Sequence, residues 1–190
     1  MIAHDVAQKL SETPPLRINL TLYGASAKTY EKLCGDGNAY HRVLQAVEFL
    51  KEYHIPVGLL AEEAELLSDP VKNCSATFFA APYGISAEEG FTDGQVLPYL
   101  SGELMVIATP GHTAGCCCYY GKTEGVLFAG DTLFAGSIGR TDLPTGNLKT
   151  LRQSLKKLAA LTEDYPIYPG HEESTTLFTE KKRNPFLRGV

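Results

Sequence analysis

The sequence predicts an α/β fold, and three features of it lead to that prediction. Three short apolar runs, residues 103–109, 116–120 and 125–129, are bounded by glycine or proline as strands usually are. Residues 147–161 repeat apolar side chains at intervals of three and four, which is the spacing of an amphipathic helix. Chemically reactive side chains directly follow apolar runs, as they do in folds that place function at strand ends.

The most informative of these strand ends carry histidine and aspartate. The tripeptide Pro-Gly-His occurs twice, ending at His112 and at His171, and between them Gly130-Asp131 closes a third apolar run. Because residues just past the carboxyl ends of strands converge on one edge of a sheet, we expect these three side chains to lie together. Zinc, iron and manganese all accept two imidazoles and a carboxylate. The pattern therefore predicts a metal site.

The predicted strand at residues 116–120 contains three adjacent cysteines followed by two tyrosines. Alternation along a strand puts Cys116 and Cys118 on one face and Cys117 on the other. We interpret the triplet as reduced, buried thiols that fill the core, with zinc binding as the alternative. Tyr119 and Tyr120 are expected to be core aromatics.

The helix predicted at residues 147–161 has one apolar stripe. Leu148, Leu151, Leu155 and Leu158 are spaced by three, four and three residues, which places them on the same helical face. The lysines and the arginine of this segment fall on the opposite side. These features predict a surface helix with its leucines packed on the rest of the domain.

Composition restricts the class of protein. The chain has 190 residues, 44% of them hydrophobic and 21% charged, which suits one compact folded unit. A formal net charge of −5 argues against a nucleic-acid partner. No run approaches the roughly 18 apolar residues of a membrane span, and five cysteines, three of them adjacent, are not a disulfide framework. We expect a cytoplasmic protein without a membrane partner.

The metal-type residues sit inside longer motifs: ATPGHTAG at residues 108–115, LFAGDTLFAGSIGRTDLPT at 127–145 and YPGHE at 168–172. On these motifs, the chain from about residue 55 to 190 resembles the second half of a metallo-β-lactamase-fold hydrolase. It is most similar to the glyoxalase II-like thioester hydrolases, the hydroxyacylglutathione hydrolase family, and the ending KKRNPF also fits. The resemblance implies a truncated metallo-β-lactamase-type αββα sandwich.

The resemblance also implies roles for the three strand-end residues. His112 would bind a first zinc ion, His171 a second, and Asp131 would bridge both and act as the catalytic residue. The reaction implied is attack of a metal-bound hydroxide on a thioester or related ester, with a glutathione-thioester-like small molecule as the substrate. One or two zinc ions are the expected cofactor, and iron is the alternative.

Four further residues carry two interpretations each. Arg140 and Asp142 form either a structural ion pair in a turn or a support for the Asp131 carboxylate. Lys182 and Arg183 belong either to the solvated end of a helix or to a contact with an anionic substrate.

One part of the family pattern is missing from this sequence. Family members carry an early His-x-His-x-Asp-His motif that supplies ligands to both zinc ions, and no such string occurs here. Residues 15–58 instead resemble a β-α-β piece of a radical-SAM partial barrel, without the C-x3-C-x2-C string that a cluster would need. Cys34, Asp36 and His41 are the candidates for substitute metal ligands in that segment.

The sequence therefore predicts a substituted N-terminal β-α-β unit at residues 1–58 and the C-terminal part of a metallo-β-lactamase-fold domain at 59–190, forming one compact unit. A thin first sheet would leave an uncovered edge, so a homodimer or poor solubility would follow. Three functional hypotheses remain open: an impaired metal-dependent thioester hydrolase, a mononuclear iron or zinc site with persulfide dioxygenase-like chemistry, and a non-catalytic chimeric scaffold.

Overall fold

The computed structural model describes residues 4–12, 45–46, 49, 52, 58–73, 76, 82, 84, 89–99 and 102–188. The chain divides into two compact units, one formed by Met1–Gly58 with Leu67–Glu89 and the other by Leu59–Leu66 with Gly90–Val190. In the first unit, helix α1 spans His4–Glu12. The predicted substitute ligands Cys34, Asp36 and His41 lie outside the described residues.

The second unit is built on a six-stranded sheet. Its strands are β3 (Val96–Tyr99), β4 (Gly102–Ala108), β5 (Cys117–Gly121), β6 (Val126–Gly130), β9 (Pro166–Pro169) and β10 (Thr175–Thr176). Their order in the sheet is β10-β9-β6-β5-β4-β3. The strands predicted at residues 103–109, 116–120 and 125–129 are thus confirmed, each within one residue. The α/β prediction is also confirmed.

Strand direction decides where the functional residues meet. Strands β3 to β6 are successively antiparallel, whereas β6 pairs with β9 in parallel. Strands β4, β6 and β9 therefore point the same way, and the residues that follow them lie at one edge of the sheet.

The remaining elements are short strands and helices: β1 (Gly58–Leu60), a 3-10 turn (Ala61–Glu63), α2 (Ala64–Ser68), β2 (Glu89–Phe91), β7 (Leu133–Phe134), β8 (Ser137–Ile138), α3 (Leu148–Ala159) and α4 (Leu177–Arg183). β1 pairs with β2, and β7 pairs with β8 in a separate small hairpin. No helix among the described residues has the length and apolar character needed to cross a membrane.

Helix α3 begins where the sequence predicts and packs through most of the predicted stripe. The side chain of its N-cap, Asn147, accepts a hydrogen bond of 3.0 Å from the backbone N–H of Thr150. Leu151, Leu155 and Leu158 are fully buried.

The prediction that Leu148 belongs to the same buried stripe is wrong, since its side chain is 42% exposed. The buried face is completed instead by Ser154, whose hydroxyl donates to the carbonyl of Pro110 at 2.7 Å. The centre of that face therefore lies on the Ser154 side of the stripe, and Leu148 sits at its edge in the first turn of the helix.

The two leucines provide a matched test of this packing. Leu155→Ala should lower the free energy of unfolding by about 2–5 kcal/mol, because it leaves a cavity in the core. Leu148→Ala should change it by less than about 0.5 kcal/mol, because much of that side chain is already in water. Urea denaturation of both variants measures the difference, and equal losses would contradict the assignment of the buried face.

The tyrosines of β5 are buried, as predicted. Tyr119 and Tyr120 are 5% and 9% exposed. The hydroxyl of Tyr120 is 2.7 Å from that of Tyr165, which also donates to a carboxylate oxygen of Glu163 at 2.8 Å. This network, buried at its two tyrosines, lies where β9 begins, at the opposite end of the strand from His171.

The three adjacent cysteines form no disulfide bond, and Cys118 is completely buried. Burial raises the pKa of Cys118 to about 12 and that of Cys116 to about 11. The thiol of Cys116 also accepts a hydrogen bond from the hydroxyl of Thr113 at 3.2 Å. Both thiols are therefore protonated at neutral pH, which agrees with the predicted core-filling role.

We predict that Cys116 and Cys118 resist alkylation in the folded protein at pH 8. When the pKa of a thiol is about three units above the pH, about one thiol in a thousand is ionised. Only this thiolate form reacts with the alkylating agent. Peptide mapping after iodoacetamide treatment, with and without urea, provides the measurement. Rapid labelling of Cys118 without urea would show that this strand is open to solvent.

Candidate metal centre

The structure brings His112, Asp131 and His171 together at one edge of the sheet, as the sequence predicts. The Nε2 atom of His112 lies 3.7 Å from Oδ2 of Asp131, and Nε2 of His171 lies 3.1 Å from Oδ1. The three residues come from separate loops that follow β4, β6 and β9. A carboxylate thus stands between two imidazoles.

One oxygen of the Asp131 carboxylate is buried without a hydrogen-bond partner. This atom, Oδ1, is the one that faces Nε2 of His171. The backbone at position 170 can approach this oxygen closely because the residue there is a glycine. A Cβ on Gly170 would lie 2.5 Å from Oδ1. An unsatisfied buried carboxylate oxygen is costly, so this position favours a cation or a proton.

A backbone carbonyl orients the His112 ring. Its Nδ1 lies 2.8 Å from the carbonyl oxygen of Arg140. Because a carbonyl can only accept, Nδ1 must carry the hydrogen, and in the neutral ring Nε2 then keeps its lone pair. That lone pair belongs to the nitrogen nearest Asp131, which is the arrangement that metal-binding histidines use.

These donors fit a divalent metal ion in their chemistry. Two imidazole nitrogens and a carboxylate with an unsatisfied oxygen are ligands for zinc or iron. Within the part of the chain that the structure describes, however, no three His, Cys, Asp or Glu side chains form a complete metal-binding group. The donor atoms are adjacent but are not arranged as a closed ligand set.

Arg140 and Asp142 form an ion pair with each other. The guanidinium donates two hydrogen bonds of 2.6 Å to the two carboxylate oxygens, and both side chains are 66% exposed. The hydrogen bonds from Arg140 lower the pKa of Asp142 to about 2. The guanidinium is thus engaged with Asp142, while the backbone carbonyl of Arg140 serves His112. A backbone carbonyl leaves no trace in residue types, so the sequence could not indicate this contact.

Lys182 and Arg183 lie in the last turn of α4, and both are exposed. Cationic side chains are favourable there because the carboxyl end of a helix carries partial negative charge. This explains their position without a ligand, and a contact with an anionic substrate stays a prediction.

Residues 43–171 match the model of the Metallo-beta-lactamase superfamily. The chain therefore belongs to that superfamily, and the metallo-β-lactamase fold assigned from the motifs is confirmed. The finer resemblance to the glyoxalase II-like hydrolases stays a prediction. The match begins inside the segment that resembles a radical-SAM piece, so that second resemblance and the boundary at residue 58 stay predictions.

Two curated relatives illustrate the similarity. The "Probable metallo-hydrolase YqgX" of Bacillus subtilis is 35% identical over 147 residues, which are 75% of this chain and 68% of the relative. The hydroxyacylglutathione hydrolase GloC of Haemophilus influenzae is 41% identical over 96 residues, covering 50% of this chain and 45% of GloC. The chain spans about two thirds of the length of YqgX and less than half of GloC.

Two solved structures share the fold. The BLEG-1 B3 metallo-beta-lactamase has a TM-score of 0.67 and 34% identity, covering 81% of this chain and 73% of its own. TTHA1623, solved in a di-iron-bound form, has a TM-score of 0.66 and 28% identity, with 97% and 84% covered. These similarities support the α/β fold of the superfamily.

Proposed function

We propose that this protein is a metal-dependent hydrolase of thioesters or related esters, with His112, Asp131 and His171 as its metal ligands. The observation that carries the proposal is the buried Oδ1 atom of Asp131, which has no hydrogen-bond partner and faces Nε2 of His171 at 3.1 Å. Burying such an oxygen is unfavourable unless an ion or a proton is shared there. The imidazole of His112, which faces the other carboxylate oxygen of Asp131, provides the third ligand in this proposal.

Each ligand has a distinct part in this proposal. Asp131 supplies the negative charge that attracts a cation, and it can reach the cation with either oxygen. His112 is held with Nε2 toward Asp131 by the carbonyl of Arg140, so its donor atom is already oriented. A divalent cation bound there would supply Lewis acidity, which lowers the pKa of water toward neutrality and polarises a carbonyl group.

The relatives support the choice of substrate class. GloC is named as a hydroxyacylglutathione hydrolase, which cleaves a thioester, and its matching region includes half of this chain. We therefore propose a small thioester, with a glutathione-like group as the acyl carrier. Exposed Lys182 and Arg183 offer positive charge for the carboxylates of such a carrier. Zinc is the proposed ion, with iron as the alternative.

A second candidate function rests on the ligand set itself. Two histidines and one carboxylate are the set used by mononuclear non-haem iron sites. The di-iron-bound form of TTHA1623 supports iron as the metal but not the number of ions. Such a site would suit oxidative sulfur chemistry of the persulfide dioxygenase type rather than hydrolysis.

Metal content and thioester hydrolysis together test the proposal. The protein is purified without added metal, its zinc and iron are measured by elemental analysis, and hydrolysis of a lactoylglutathione analogue is followed with and without zinc. Bound zinc with zinc-dependent turnover is the expected result, and turnover should be slow because the early ligand motif is missing. One iron per chain without hydrolysis would favour the second candidate. If no metal is bound and no turnover is detected at any metal concentration, the protein is a non-catalytic scaffold.

A further inference from the structure

A single hairpin and the two residues that follow it lie next to all three candidate ligands. The β7–β8 hairpin, Leu133–Ile138, starts two residues after Asp131. Its Phe134 ring packs edge-on against the ring of His171, with centroids 5.9 Å apart. Directly after the hairpin, Arg140 supplies the carbonyl that orients His112. The position of this hairpin therefore sets the relative position of the ligands.

The chain between the hairpin and Arg140 fits tightly against the site. A Cβ on Gly139 would lie 1.9 Å from the backbone carbonyl oxygen of Asp131 and 3.3 Å from Cβ of His112. A small shift of the hairpin is thus transmitted to both ligands, because close-packed backbone cannot absorb it.

The hairpin cannot hold this position through its own pairing. It contains only two residue pairs, Leu133 with Ile138 and Phe134 with Ser137. Two-stranded hairpins of this size are marginally stable by themselves. Contacts from elsewhere in the fold must fix it.

The contact that fixes the turn is a buried carboxylate. Glu180 of α4 is 2% exposed. Its Oε2 accepts a hydrogen bond of 2.8 Å from the backbone N–H of Gly136, in the turn of the hairpin, and another of 2.8 Å from Nδ2 of Asn184. Its Oε1 accepts one of 2.7 Å from the hydroxyl of Thr175.

Asn184, one helical turn later, fixes the strands of the same hairpin. It is fully buried. Its Nδ2 donates to the carbonyl of Ser137 at 2.9 Å and lies 3.4 Å from that of Phe134. Glu180 and Asn184 thus hold the turn and the strands of the hairpin with one linked set of hydrogen bonds.

We propose that Glu180 and Asn184 are positioning residues of the metal site, which act through the β7–β8 hairpin on His112, Asp131 and His171. This inference rests on the proposed function, in which these three residues bind the metal. A buried carboxylate surrounded by three neutral donors is not needed for stability alone, since apolar side chains of similar volume often stabilise a fold as well. These hydrogen bonds do specify one geometry of the hairpin, and a metal site requires its ligands to be held in one geometry.

The test compares Glu180→Gln with Tyr165→Phe. Glu180→Gln keeps the side-chain size but removes the negative charge that the three donors face. Its NH2 group either meets the N–H donors of Gly136 and Asn184 or requires the Thr175 hydroxyl to turn and accept. Tyr165→Phe removes a buried hydroxyl from the network at the opposite end of β9 and serves as a control for general destabilisation. Co²⁺ affinity is followed by the visible absorption of the bound ion. It should fall about tenfold or more for Glu180→Gln, as is typical when a residue that orients a metal ligand is mutated. It should stay within about twofold of wild type for Tyr165→Phe. Equal affinity in all three proteins would overturn the proposal.

A metal-free measurement separates this inference from the proposed function. The side-chain NMR signals of His112 and His171 should move in Glu180→Gln and stay in place in Tyr165→Phe. If wild type binds no Co²⁺, the proposed function fails while these signals still decide whether Glu180 positions the rings. Unmoved signals would refute positioning. If Glu180→Gln does not fold, Asn184→Ser replaces it in both measurements with the same expectations.

Discussion

Asp131→Asn is expected to abolish metal binding and all thioester hydrolysis. Asp131 lies against both other candidate ligands, and it contributes the negative charge that attracts a cation. The amide keeps the shape but removes that charge and turns one metal-facing oxygen into an N–H donor. We expect metal affinity to fall by at least about 100-fold. That is the largest loss usually seen when only a residue hydrogen-bonded to a metal ligand is mutated, and here a ligand itself is changed. Isothermal titration with zinc and the lactoylglutathione assay provide the measurements.

The matched control is Asp5→Asn, which makes the same chemical change at an exposed position of α1. It should leave both quantities unaltered. His171→Ala should cost less than Asp131→Asn, because one ion could persist on His112 and Asp131. Turnover that survives Asp131→Asn undiminished would refute the proposed site.

Gly111→Ala is expected to destabilise the fold and to displace His112 at the same time. Gly111 has φ +142°, in a region that L side chains rarely adopt, and a Cβ there would lie 2.4 Å from Cα of Leu151 and 2.5 Å from its backbone nitrogen. The backbone strain costs roughly 1–3 kcal/mol and the overpacking about as much again. The total loss in unfolding free energy should therefore be about 2–6 kcal/mol.

Gly125→Ala separates strain from packing. Gly125 also has a positive φ, +65°, but a Cβ there would meet nothing within 4 Å. The free energy of unfolding of Gly125→Ala should fall by only about 1–2 kcal/mol, the cost of a left-handed backbone conformation for alanine. Its metal affinity should equal that of wild type. Urea denaturation with zinc titration compares the pair. Similar losses in both variants would show that contact with α3 does not restrict the loop of His112.

Local pattern was sufficient to predict three of the six sheet strands and the main helix of the second unit. Apolar runs bounded by glycine or proline located β4, β5 and β6, and the leucine spacing located α3, because these signals depend on residues close together in the chain. Leu148 was misplaced because periodicity places a residue on a helical face but does not say which part of that face the rest of the fold covers. Its exposure depends on tertiary packing.

The candidate ligands could also be predicted from sequence. His112, Asp131 and His171 each follow a strand, and strands that run the same way bring such residues to one edge. The carbonyl of Arg140 behind His112 and the buried pair of Glu180 and Asn184 under the β7–β8 hairpin could not be predicted. Backbone groups have no residue identity, and Glu180 lies in a short basic helix whose sequence does not distinguish a buried carboxylate from an exposed one. The sequence alone determined which side chains are available to bind a metal, because strand ends are encoded locally. Only the tertiary structure decided how those side chains are oriented, because the groups that orient them come from distant parts of the chain.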